Sequence, residues 1–151
     1  MHITFICTGN ICRSPMAERI LADALREHGL HEQVQVSSAG TGSWHIGEPA
    51  DHRAVAVLRE AGYTTDHVAA TVSAEHLGAD LILALDEGHV LELRKRGADI
   101  SRVRLLREFD PGAPSWQVAD PYWGSLREFE EVREQIEAAI PGILDWIRAR
   151  L

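Results

Sequence analysis

Cys7 and Arg13 bracket five residues in the run Thr4-Phe5-Ile6-Cys7-Thr8-Gly9-Asn10-Ile11-Cys12-Arg13-Ser14-Pro15. This C-x5-R spacing falls between an apolar, β-prone stretch and a helix-prone one. A loop passing from strand end to helix start aims successive backbone N–H groups inward, and the helix N-terminus adds positive potential. Such a loop suits an oxyanion, above all a phosphate dianion. Gly9 permits a left-handed turn, and Asn10 is the next-best residue type for one. Arg13 offers a planar fork that grips two phosphate oxygens at once. Cys7, at the loop's mouth, feels the same partial charges. Amides, a cation and a hydroxyl such as that of Ser14 favour thiolate over thiol, and a thiolate attacks phosphorus without a histidine base. A small buried cysteine at a strand end is the common alternative. Gly9, Asn10, Ser14 and Pro15 around Cys7 favour the nucleophile.

A phosphate ester also needs a proton for its leaving group. Two Asp-Pro pairs offer carboxyls, Asp110-Pro111 and Asp120-Pro121. Turn initiation is the usual fate of such pairs. Asp120 is preferred because Tyr122 and Trp123 follow it, and their rings would wall a pocket for an aryl group. Trp44, between Ser43 and His45, is either a lid ring or a loop anchor. The run Gly40-Thr41-Gly42-Ser43-Trp44-His45 starts like a dinucleotide fingerprint but lacks its third glycine. His67 has nothing local to distinguish it.

The bulk properties limit the alternatives. A chain of 151 residues, 45% hydrophobic and 25% charged, matches one soluble domain spanning 1–151 with a real core. A net charge of -8 argues against nucleic acid and anionic membranes as partners. Its 2 cysteines both sit in the loop, so there is no disulfide framework, and no H-E-x-x-H or C-x-x-C metal pattern occurs among the scattered histidines. The chemistry requires no cofactor and no metal. No apolar run approaches a membrane span, and no secretory signal is visible, so the cytoplasm is the expected compartment. Export without a signal peptide stays open.

Strands and helices alternate along the chain. His2 to Cys7 reads as a buried strand, with Ser14 and Pro15 as N-cap and first position of a helix carrying Met16, Ala17, Ile20, Leu21, Ala24 and Leu25 inward. Gly29 ends that helix. Val34 to Ser37 alternates as a strand, and Ala39 to Trp44 reads as a loop. A second helix runs from Pro49 to Gly62. Leu81 to Leu85 is a buried strand, followed by a helix to about Arg96. Val103 to Leu106 is a fourth strand, and Phe109 to Trp123 a loop. Ser125-Leu126-Arg127-Glu128 is a capping box for a final helix, which Pro141 should kink or restart. This alternation predicts an α/β fold with a parallel sheet covered on both faces and a ligand at the strands' carboxyl ends, where Cys7 lies.

The motifs CTGNICRSP, SSAGTGSWHIGEP, DHVAATVS, LLREFDPG and DPYW together resemble the low-molecular-weight protein tyrosine phosphatases, in particular the actinobacterial secreted type. The resemblance runs collinearly from Ile3 to Trp146. It implies a flavodoxin-like three-layer sandwich with a four-stranded parallel sheet. It also implies that Cys7 is the nucleophile, Arg13 the phosphoryl-binding residue and Asp120 the general acid and later base. Thr8, Gly9, Asn10, Ile11, Cys12 and Ser14 then form the phosphate loop, with Ser14 stabilising the thiolate. Ser38 and His67 join Asn10 in supporting the loop. Trp44, Tyr122 and Trp123 match the rim aromatics. Phosphotyrosine proteins are the implied substrates, inorganic phosphate the product and a tyrosine kinase the candidate partner. Two positions depart from the family pattern. Trp123 stands where many relatives have a second Tyr, and Ala70 where many have Arg.

Three rival readings are weaker. An arsenate reductase of this fold needs relay cysteines downstream, and none follows Cys12. The protein-arginine phosphatase branch resembles this loop but carries Thr at the position of Ile11. A non-catalytic phosphotyrosine-binding module would not need Cys7, Arg13 and Asp120 intact. Cys12 itself is either a small buried filler or, as the resemblance supports, a thiol that protects an oxidised Cys7 by forming a disulfide.

Overall fold

The computed structural model describes residues 1–151. Four parallel strands, β1 (His2–Cys7), β2 (Gln35–Gly40), β3 (Leu81–Ala84) and β4 (Val103–Leu105), lie in the order β2-β1-β3-β4. The helices are α1 (Arg13–Glu27), α2 (His52–Glu60), the short α3 (Ala74–Leu77), α4 (Glu87–Lys95) and α5 (Leu126–Arg148). The expected three-layer α/β sandwich is therefore present.

The two faces follow from strand alternation. Ile3 and Phe5 on β1, with Leu81 and Leu83 on β3, point into the larger core with α1, α2 and α5. Ile6, Ile82 and Ala84 point the other way, onto Leu93 of α4. In α5, Phe129, Val132, Ile136, Ile140 and Ile143 are buried as their helical spacing predicts. Ser125 and Glu128 form the expected capping box, Ser125 N donating to Glu128 over 2.7 Å. No helix is long and apolar enough to cross a membrane.

Several boundaries differ from the sequence reading, and α2 is one of them, beginning at His52 behind an Asp51 cap rather than at Pro49. α1 begins at Arg13, with Cys12 as an N-cap that makes no side-chain bond, so Ser14 is not the cap. Its hydroxyl has a different partner, described below. β2 continues through Ala39 and Gly40, because β1 offers pairing as far as Cys7↔Gly40. β3 stops one residue earlier, at Ala84, and β4 at Leu105. Pro141 lies inside an unbroken α5, held there by the buried run from Ile136 to Ile147. The short α3 and two 3-10 turns, Ile100–Arg102 and Leu106–Phe109, were not legible.

Candidate active site

Between β1 and α1 lies a loop whose carbonyls at Cys7, Thr8, Asn10 and Ile11 are bonded to the surrounding chain. Thr41 N donates to the Cys7 carbonyl and Gly42 N to that of Thr8, both over 2.9 Å. Asp51 N donates to the Ile11 carbonyl over 2.8 Å, and His67 Nε2–H to that of Asn10 over 2.7 Å. The amides from Thr8 to Cys12 have no protein acceptor, so the loop presents a ring of donors beside the α1 N-terminus. The left-handed residue is Asn10, at φ 57°, not Gly9. A Cβ at Gly9 would sit 3.0 Å from the His45 ring and would press that side chain aside. At Gly40 a Cβ would stand 2.6 Å from the Thr8 carbonyl, so β2 approaches the loop only because that position is bare.

Asn10 organises what lies beneath. Its Nδ2 donates to Ser14 Oγ over 2.8 Å and to Ser38 Oγ over 2.9 Å, while its Oδ1 accepts from Ala70 N over 2.9 Å. Ser38 passes its own proton to Glu18 Oε1 over 2.6 Å. Ser14 Oγ lies 2.8 Å from Cys7 Sγ, and because it already accepts from Asn10, its proton is free to go to sulfur. The chain Asn10–Ser14–Cys7 thus directs a hydroxyl at the Cys7 sulfur. Asn10, Ser14 and Ser38 are all buried. Burial pushes the His67 imidazole below its usual value against the raising effect of its bond to Asn10, so the neutral ring holds the loop.

Arg13 is 2% exposed, and its fork is anchored along one edge. Nη1 donates to Asp86 Oδ2 and to the Val118 carbonyl, both over 2.8 Å. Nη2 faces Thr8 Oγ1 at 3.4 Å and Asp120 Oδ2 at 3.7 Å. Burial alone would raise the Asp86 carboxyl. The hydrogen bond and charge of Arg13, with the bond from the His89 backbone N–H, outweigh it and hold Asp86 below the ordinary value. His89 sits at 2.9 Å from Thr8 Oγ1, and burial followed by the charge of Arg13 push its pKa down to about 4.

A cavity of about 160 Å³ opens over the loop, lined by Cys7, Thr8, Gly9, Ile11, Cys12 and Arg13 below and by Trp44, His45, Asp120 and Tyr122 around the rim. Cys7 is 2% exposed at its floor. The structure therefore brings the expected nucleophile, arginine and acid to one cavity, with Asn10, Ser14, Ser38 and His67 beneath it. Asp110 is elsewhere, closing a turn by accepting from Gly112 N over 2.9 Å. Trp123 does not line the cavity. It is 92% exposed and meets Tyr122 edge-on, with ring centroids 4.8 Å apart. The Pro-restricted turn, in which Tyr122 N donates to Asp120 Oδ1, sends successive rings in different directions. Burial, then the charges of Asp51 and Cys7, push the Cys12 thiol up to about 12.

Sequence reasoning passed over Asp86 and His89 and gave His45 no role. A signal existed for the first two: Asp86-Glu87-Gly88-His89 is a capping box at the carboxyl end of β3, the same sheet edge that selects Cys7. His45 has no comparable signal, because its place depends on how the loop after β2 folds over Gly9.

The family model described as low molecular weight phosphotyrosine protein phosphatase matches residues 2–151. The chain is 56% identical over 153 residues to the low molecular weight protein-tyrosine phosphatase A of Mycobacterium tuberculosis, covering 100% of this chain and 94% of that one. Among solved structures it is similar to a protein tyrosine phosphatase from Entamoeba histolytica, with a TM-score of 0.93, 32% identity and coverage of 100% and 99%. It is also similar to a Drosophila arginine phosphatase, at TM-score 0.91, 28% identity and 100% coverage of both chains. The match to the family model along the whole site-bearing domain places this chain in the low molecular weight phosphotyrosine protein phosphatase family.

Proposed function

We propose that the chain hydrolyses phosphotyrosine in proteins through a phosphocysteine on Cys7, with Asp120 as acid and then as base. The observation that carries this is the single cavity in which Cys7 forms the floor, Arg13 one wall and Asp120 the rim. The Cys7 sulfur attacks phosphorus while Arg13 Nη2 and the loop amides hold the equatorial oxygens. As the S–P bond forms, the P–O bond to the phenol breaks. The electron pair goes to the phenolic oxygen, which takes its proton from Asp120. Water then attacks the phosphocysteine and gives a proton to Asp120, and the S–P pair returns to sulfur. Inorganic phosphate leaves. Ser14 donates to sulfur at both ends of the cycle.

Depth supports an aryl substrate. Cys7 is 2% exposed below a rim of Trp44 and Tyr122, so a phosphate must stand on a long, flat side chain to reach it. Phosphoarginine is the second reading, favoured by the structural likeness to an arginine phosphatase. Ile11 in the lining speaks for phosphotyrosine, since its apolar side chain suits a phenol better than a guanidinium. A cycle run on a free thiol suits a reducing compartment such as the cytoplasm, where tyrosine kinases would supply the substrates.

The test uses phosphotyrosine and phosphoarginine peptides. Wild-type protein should prefer phosphotyrosine, and Ile11→Thr should move the ratio toward phosphoarginine. Acid quench during turnover should trap phosphate on Cys7, and Cys7→Ser should abolish hydrolysis while keeping phosphate binding. Arg13→Lys should be severely impaired, because a point charge cannot replace the fork. Preference for phosphoarginine in the wild type, or substantial turnover by Cys7→Ser, would overturn the reading.

A further inference from the structure

Two donors converge on the hydroxyl of Thr8, and neither can accept. Arg13 Nη2 lies 3.4 Å from Thr8 Oγ1, and His89 Nε2 lies 2.9 Å from it. The tautomer of His89 follows from its other nitrogen. The backbone N–H of Asp86 meets Nδ1 over 3.2 Å in hydrogen-bond geometry, and an amide only donates, whereas Asp86 Oδ1, also 3.2 Å from Nδ1, makes no hydrogen bond with the ring. Nδ1 therefore carries the lone pair and Nε2 the proton. Burial of the ring, which favours the neutral imidazole, agrees with this. A threonine hydroxyl has two acceptor positions and one proton. Arg13 and His89 occupy both acceptor positions, and the proton has no protein acceptor. Thr8 is exposed on the cavity lining.

We propose that Thr8 donates its hydroxyl proton to a non-bridging phosphoryl oxygen and that His89 is the positioning residue that turns it there. The inference rests on the phosphatase reading of the cavity and adds a side-chain donor to the ring of amides. It also gives the capping box at the start of α4 a purpose beyond helix stability. Asp86 fixes both the Arg13 fork, through its carboxylate, and the His89 tautomer, through its amide. One short segment at the end of β3 thus sets the hydrogen-bond direction of two phosphate donors.

The experiment measures competitive inhibition by inorganic phosphate against an aryl phosphate substrate. Thr8→Val should weaken phosphate by roughly ten- to hundredfold, the range for one hydrogen bond to a charged acceptor. Thr8→Ser, which keeps the hydroxyl, should stay close to wild type. His89→Leu should weaken phosphate in the wild-type background and add nothing in a Thr8→Val background, since it acts through Thr8. His89→Gln, whose amide can still donate, should recover part of the loss. Independently, nitrogen NMR of wild-type protein should show His89 protonated at Nε2 and bare at Nδ1, a readout that does not depend on any variant folding. Unchanged phosphate affinity in Thr8→Val, multiplying effects in the double variant, or a proton at Nδ1 would each overturn the proposal. Failure of phosphate to compete in the wild type would instead sink the phosphatase reading beneath it.

Discussion

Arg107 Nη1 donates to the Gln117 carbonyl over 2.7 Å, one residue before the Val118 carbonyl that Arg13 holds over 2.8 Å. Two buried guanidinium groups thus grip adjacent carbonyls of the segment that leads into Asp120. Val118 N adds a third tie, donating to the Leu85 carbonyl over 2.9 Å. The loop bearing Asp120 is thus pinned to Arg13 and to the residue that follows β3. Its Pro-rich sequence does not leave it adrift.

Arg107 is buried, forms no ion pair, and leaves its Nε without a partner, so its work is on the Gln117 carbonyl. Arg107→Met should cost about 1–3 kcal/mol in chemical unfolding, the cost of an unsatisfied buried acceptor. It should also slow esters with poor leaving groups more than esters with good ones, because the misplaced group is the acid. A uniform loss across leaving groups would show that Arg107 serves stability alone.

Asp120 and Asp110 separate cleanly by position. Asp120→Asn should slow phenyl phosphate by roughly 10²–10⁴-fold, the range for one general acid. It should matter much less for a leaving group that needs no proton. Asp110→Asn keeps an acceptor for Gly112 N and should be mild. A larger loss at Asp110 in steady-state kinetics would reject the assignment.

His89 makes stability depend on acidity. An unfolded histidine titrates near 6.5, and burial with the charge of Arg13 lowers the folded value to about 4. Between those values the unfolded chain holds a proton that the folded chain excludes, so stability falls as pH drops through this window. By linkage the loss amounts to something on the order of 3 kcal/mol at pH 4. His67 and His76, also lowered by burial, act in the same direction. Denaturant melts from pH 7 to 4 should show the slope, and His89→Gln should flatten it. An equal slope in the variant would assign the effect elsewhere.

The Cys12 thiol, pushed up to about 12, is the poorer target for peroxide beside Cys7. Oxidation should therefore begin at Cys7 as a sulfenic acid, with Cys12 attacking that sulfur in a second step that expels water and forms the disulfide. Peroxide inactivation should be thiol-reversible in the wild type and largely irreversible in Cys12→Ser. Mass spectrometry should show the loss of two hydrogens. Sulfinic acid at Cys7 with Cys12 still reduced would return Cys12 to a packing role.

The sequence by itself determined whatever depends on neighbours along the chain. The strand from His2 to Cys7, the amphipathic faces of α1 and α5, the Ser125–Glu128 box and the loop that joins strand to helix are local patterns of polarity and turn chemistry. The position of Cys7 followed from them, since a parallel sheet places ligands at its carboxyl edge. Tertiary structure decided everything that depends on which segments meet. Pairing with β1 extended β2 to Gly40, and burial carried α5 through Pro141 against local preference. His45 came to lie over Gly9. Asp86 and His89, more than 70 residues from the loop they serve, reached Arg13 and Thr8 because β3 pairs with β1. Hydrogen-bond direction, which turns Ser14 toward sulfur and leaves the Thr8 proton for a ligand, exists only once those partners are in place. A hydroxyl's role is set by what already donates to it, and that is a property of the assembled site.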